Sequence, residues 1–121
     1  MAVYIMNACV FRNGIASSKT VSFDVWKEKF LEESIVVDPQ NGAHRRAFTS
    51  TVGYPQVAKL LTEQLGIEVR VSREQVDLRE GDTAYVVQLP YRIAAPKTKG
   101  DDRGNKIEDY IFSIMKKLVD F

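Results

Sequence analysis

Apolar and polar positions divide the chain into short segments of two different periods. Residues 2–9, AVYIMNAC, form a short apolar run with Asn7 near its end, the pattern of a buried strand. A loop over 12–14 follows, then a second predicted strand over 19–23, with Ser22 or Asp24 placed to cap a helix. Phe23, Trp26, Phe30 and Leu31 share one helical face, opposite Lys27, Glu28, Lys29 and Glu32, which predicts an amphipathic helix. The sequence DPQNG over 38–42 is the clearest turn signal and predicts a hairpin-like connection into the next strand. That strand, 48–52, is rich in Thr and β-branched residues. It stops at Gly53 and feeds into a helix. Gly53 permits a positive φ or a close backbone approach. Pro55 suits the first helical turn. Val57, Ala58, Leu60, Leu61 and Leu65 then form an apolar stripe, and Gly66 is a good stop.

Over 67–78 the apolar residues Ile67, Val69, Val71, Val76 and Leu78 alternate, with a break at 72–75. Two short strands or one bent strand are expected there. A turn over 80–82 leads into TAYVVQL, 83–89, the strongest strand pattern and the one expected at the centre of the sheet, ending at Pro90. Residues 96–105 are polar and Gly-containing, and predict an exposed loop. Ile107, Tyr110, Ile111, Ile114, Met115 and Leu118 then follow helical spacing, with Lys116 and Lys117 near the end to complement a helix dipole. The pattern predicts one α/β domain over 1–121, with a mixed sheet of about five strands covered by about three helices.

Composition narrows the function classes. A chain of 121 residues suffices for one domain with a real core. Seventeen basic against sixteen acidic side chains leave a formal charge of +1, which argues against a general DNA or RNA binder working by bulk electrostatics. A small anionic ligand held by a few arginines stays open. The single Cys9 has no internal disulfide partner, no apolar run reaches a membrane span of roughly 18 residues, and the start lacks a signal-peptide pattern. A cytoplasmic protein with no membrane partner is expected.

Candidate chemistry is sparse. His44 is the lone histidine; beside Arg45 and Arg46 it is a general acid or base candidate, though a partly exposed strand residue is the favoured reading. Cys9 reads better as a buried inert thiol than as a nucleophile. No metal-ligand spacing and no glycine-rich phosphate loop is present, so no metal or cofactor is expected. The start of the helix at Pro55 leaves backbone N–H groups free for a phosphate, although most such turns are only turns. Polar residues at strand ends remain: Asn7, Ser50, Arg73, Gln88 and Arg92. Gln88 and Arg92 could grip a base edge and a phosphate. A structural amide and a surface arginine are the plainer alternative.

Taken in order, these blocks resemble the viral ring nucleases, type III anti-CRISPR proteins. The shared pattern is YIMNA with Asn7; STVGYPQVAKLL, a strand, a Ser-x-x-Gly turn and a helix; VSREQVDL with Arg73; and EGDTAYVVQLPYRI, a strand ending in Gln-x-x-x-Arg. It covers 2–93. The resemblance implies a small α/β domain that pairs as a two-fold homodimer around cyclic tetra-adenylate, a second messenger cleaved without metal by attack of the ribose 2′-OH. It implies that Asn7, Arg73, Gln88 and Arg92 serve the ligand, with Ser50, Gly53 and Tyr54 at the turn.

Two positions depart. The family's catalytic histidine follows the turn glycine, where this chain has Tyr54, and its functional glutamate falls at Ala95. Tyrosine, with an ordinary pKa of about 10, is a poorer acid near neutrality, and loss of a general acid costs about 10²–10⁴ in rate. Tyr54 can still stack on an adenine or hydrogen-bond a phosphate. The expectation is therefore a cytoplasmic protein that binds and sequesters a cyclic oligoadenylate-type messenger in anti-defence or signal control. Two alternatives stand beside it. One is a ring nuclease with Tyr54 or His44 as the acid. The other is a protein-interaction module using the dimer surface or the loop over 97–103.

Overall fold

The elements are β1 (Val3–Met6), β2 (Ile15–Val21), α1 (Phe23–Glu33), β3 (Ile35–Val37), β4 (His44–Arg46), β5 (Thr49–Thr51), α2 (Pro55–Leu65), β6 (Thr83–Gln88), a 3₁₀ turn (Ile107–Asp109) and β7 (Ile111–Val119). They come from a computed structural model that describes residues 2–7, 14–89 and 106–119. Cys9, Arg92, Ala95 and the expected loop over 96–105, including 97–103, lie outside these residues.

Five strands form one mixed sheet in the order β2-β7-β6-β1-β5, and β3 pairs with β4 as a separate hairpin. β5, β1 and β6 run parallel, with Ile5 opposite Ser50 on one side and Tyr85 on the other. β7 runs antiparallel to both β6 and β2. β6 thus stands at the centre, where its nearly continuous burial requires apolar residues on both faces.

The helices cover one face. Ile5, Tyr85, Val87 and Phe112 from the sheet meet Trp26 and Phe30 of α1 and Val57, Leu61 and Leu65 of α2. Aromatic rings dominate the contact: Trp26 and Phe112 have centroids 5.1 Å apart in an edge-on arrangement, and Phe30 and Tyr85 lie 5.3 Å apart. Each fully buried side chain of this size contributes roughly 1.5–3 kcal/mol. Met6, Ala84 and Val86 face the other way and are covered by Leu78, Val76 and Met115.

Local signals explain both helices. Ser22 accepts the Val25 N–H through Oγ at 3.3 Å and caps α1. α2 has Pro55 in its first turn and stops at Gly66, whose φ of 72° is left-handed. The DPQNG turn also forms a hairpin: Asp38 Oδ1 accepts the Gln40 N–H and Asn41 Oδ1 accepts the Ala43 N–H, each at 2.8 Å.

Three expectations are corrected. The segment expected to be a C-terminal helix is the 3₁₀ turn followed by β7, so two α-helices, not three, cover the sheet among the described residues. Ile, Phe and Val populate it, and pairing to strands on both sides outweighs an apolar spacing that a helix also satisfies. Lys117, read as a helix-dipole partner, is buried, and its Nζ donates to the Leu78 carbonyl at 2.7 Å. Second, 67–78 forms no ladder beyond a single parallel bridge of Val71 to Val52. Its Val69 N–H instead donates to the Thr62 hydroxyl at 2.9 Å. Third, β2 begins at Ile15, earlier than expected, because an edge strand exposed along most of its length carries little apolar signal.

Candidate functional site

Parallel strands deliver their C-terminal ends to one edge, the usual place for a ligand in an α/β sheet. Here that edge brings together Asn7 after β1, Gly53 and Tyr54 after β5, and Gln88 at the end of β6. It is also where α2 begins.

Asn7 ties two of these ends together. Its Oδ1 accepts the Gly53 N–H at 3.1 Å in a partly buried contact. With the oxygen so engaged, the amide nitrogen and its two protons turn away from the turn. Gly53 itself has no left-handed φ. Nor does close approach require the glycine: a Cβ there would lie 3.6 Å from Arg73 Cγ and 3.9 Å from the Ser72 carbonyl oxygen, ordinary van der Waals distances that nonetheless place Arg73 beside the turn. Arg73, distant in sequence, is thereby laid across the turn. It is exposed, and no carboxylate among the described residues pairs with it.

Tyr54 occupies the N-cap position of α2 in extended conformation, makes no side-chain cap and is 61% exposed. Pro55 contributes no N–H, and Ala58 is the residue whose N–H returns to the Tyr54 carbonyl, at 3.1 Å. The N-cap residue itself therefore gives the first turn of α2 no side-chain acceptor. Gln88 is exposed at the strand end, opposite Ile111 of β7, so it is not the buried amide that its apolar neighbours suggest.

Two candidates stand apart. Ser50 lies within β5, with its hydroxyl donating to the Arg70 carbonyl at 2.6 Å. His44 lies on β4, exposed, opposite Val37 in the hairpin. That hairpin packs against the end of α1: the Ala47 N–H donates to the Ser34 carbonyl at 2.7 Å, and Arg46 donates to Ser34 Oγ at 2.9 Å and to the Leu31 carbonyl. The same end of α1 reaches the start of β6, where Thr83 donates to Glu33 at 2.8 Å. His44 is thus at the opposite end of the parallel strands from Gly53 and Tyr54. Arg92 lies outside the described residues.

Polar groups that pattern reading passed over gather at that opposite end. Tyr85 donates its hydroxyl to Glu33, and burial, then the hydrogen bond and charge of Glu33, push its pKa well above the ordinary value. Asp82 is buried and accepts the N–H groups of Ala2 at 2.8 Å and Arg79 at 2.9 Å. It also adds to the burial that raises the Tyr4 pKa. These groups brace the sheet where β1 and β6 begin.

No group of three His, Cys, Asp or Glu among the described residues could hold a metal ion. None of the described helices is long and apolar enough to cross a membrane. A family model described as STIV B116-like matches residues 3–107. No curated protein matches the chain. Among solved structures, the B116 protein of Sulfolobus turreted icosahedral virus is similar with a TM-score of 0.64, covering 96% of this chain and 99% of that chain at 14% identity. At that identity the likeness is one of fold.

Proposed function

The chain belongs to the STIV B116-like family, and we propose that it binds a cyclic oligonucleotide messenger of the cyclic oligoadenylate type and sequesters it. The ligand lies across a two-fold homodimer and meets the edge where β1, β5 and β6 end. The protein acts in the cytoplasm of a host cell, in anti-defence or signal control.

The observation that carries this reading is the hydrogen bond from Gly53 N–H to Asn7 Oδ1. It leaves the amide protons of Asn7 for other partners, beside the guanidinium of Arg73, which pairs with no carboxylate among the described residues, and close to the start of α2. A donor-rich edge of this kind suits phosphodiester oxygens, and arginine adds a charged fork. Tyr54 supplies an exposed ring for base stacking, worth about 1–3 kcal/mol per base in single-strand binders. The ligand class itself comes from the ordered blocks that resemble the viral ring nucleases.

Cleavage is the second reading, with Tyr54 as its acid; the place of His44 at the other end of the strands supports that choice between the two. Calorimetry across cyclic di-, tri- and tetra-adenylate tests binding. Micromolar affinity for one ring size is expected. No heat with any of them would leave the fold to a protein-interaction role.

A further inference from the structure

We infer that Ser50 is a positioning residue for Arg73 rather than a ligand contact, an inference that rests on the binding site proposed above. The serine hydroxyl has one proton, and it is committed to the Arg70 carbonyl at 2.6 Å. The same oxygen accepts the Val52 N–H at 3.3 Å. Ser50 therefore sits inside a stitch between β5 and the segment that carries Arg73.

The rest of the stitch is short. Val52 bridges Val71, and the Ser72 N–H donates to the Val52 carbonyl at 2.8 Å. These contacts lay 70–72 along the outer edge of β5. The next residue, Arg73, then falls beside Gly53, its Cγ 3.6 Å from where a Cβ would be. No other ladder contact holds this stretch among the described residues. The neighbouring ion pair of Arg70 with Glu68, at 3.4 Å, has both side chains more than 70% exposed and is a weak anchor. The register of Arg73 against the turn thus depends on this bridge and the Ser50 hydroxyl, with the Thr62 hydroxyl holding Val69 further back.

This explains why a serine stands in the strand three residues before the turn glycine. Ser50 reaches sideways to set the edge segment, and that segment delivers Arg73 beside Gly53. Thr49 and Thr51 point to the other face of the sheet and cannot make the contact.

The test compares wild type, Ser50→Ala, Ser50→Thr, Arg73→Ala and the Ser50→Ala/Arg73→Ala double variant. Amide hydrogen exchange of Ser72, followed by NMR without ligand, should accelerate by about tenfold in Ser50→Ala and return toward wild type in Ser50→Thr, which keeps the hydroxyl. Calorimetry with cyclic tetra-adenylate should show weaker binding in Ser50→Ala, by about fivefold or more. In the Arg73→Ala background the same change should add less than about twofold, since coupled residues are not additive. Unchanged Ser72 exchange in Ser50→Ala overturns the inference, as do fully additive losses. Should the wild-type protein bind no cyclic adenylate, the proposed function fails, and the exchange result alone decides the role of Ser50.

Discussion

Asn7 and Gly53 lie on neighbouring parallel strand ends, joined by the N–H of the glycine and the side-chain oxygen of the asparagine at 3.1 Å. One residue thereby does two things. It satisfies a partly buried backbone donor at the turn through its oxygen, and its amide protons are left for other partners.

Separating those roles gives the first prediction. Asn7→Leu removes the acceptor and should lower stability in urea unfolding by about 1–3 kcal/mol, the cost of an unsatisfied buried donor. Asn7→Asp keeps an acceptor for Gly53 but replaces the outward donors with negative charge. It should hold stability within about 1 kcal/mol of wild type while weakening cyclic adenylate binding by about tenfold or more. Equal binding by both proteins would place the ligand elsewhere.

Tyr54 is the second position to change. It occupies the N-cap of α2, where the resembling family carries its catalytic histidine. Tyr54→His should raise the rate of cyclic tetra-adenylate cleavage by about 10²–10⁴, the usual contribution of a general acid. Chromatography of the products over time measures it. A variant no faster than wild type would mean that the missing glutamate at Ala95, rather than the acid, limits the chemistry.

Lys117 distinguishes a strand from a helix at the C-terminal end of the described chain. Its buried ammonium donates to the Leu78 carbonyl, and its stem packs in the interior. Lys117→Ala should therefore cost about 2–4 kcal/mol in urea unfolding. On an exposed helical face the same change would be neutral or slightly stabilising.

Alkaline pH gives a fourth prediction. Tyr85 and Tyr4 both have pKa values raised in the folded state, so the native protein holds their protons after the unfolded chain has lost them. Their contribution is complete below the unfolded value of about 10 and declines as pH rises beyond it. For Tyr85 stability should fall by up to about 1.4 kcal/mol per pH unit above that point, with Tyr4 adding a smaller loss in the same direction. Tyr85→Phe should flatten the fall, which denaturant titrations between pH 9 and pH 11 can measure.

The strand ends and the turn that form the candidate site were legible in the sequence, but their contacts were not. Gly53 and Pro55 announce a strand turning into a helix, and the structure has that turn. Asn7, Gln88 and Arg73 stood out as polar residues near apolar runs, and the parallel arrangement of β1, β5 and β6 places the first two with Gly53. Nothing local places Arg73 beside Gly53, because that depends on a long-range bridge between Val52 and Val71. The partner of Ser50 was equally hidden, since it is a backbone carbonyl, which has no sequence signature. The error over β7 has a different cause. Ile107 to Leu118 satisfies a helical period, and only the presence of β2 and β6 on either side makes the strand the better use of those residues.

The most direct test of the central claim is to mix the purified protein with a limiting amount of cyclic tetra-adenylate and follow the nucleotide by mass spectrometry. Sequestration across a homodimer predicts that the ring stays intact and is retained by the protein, with saturation near one ring per two chains. Multiple rounds of conversion to linear product would contradict it and make the protein an enzyme. Free nucleotide at every protein concentration would remove the messenger from the account.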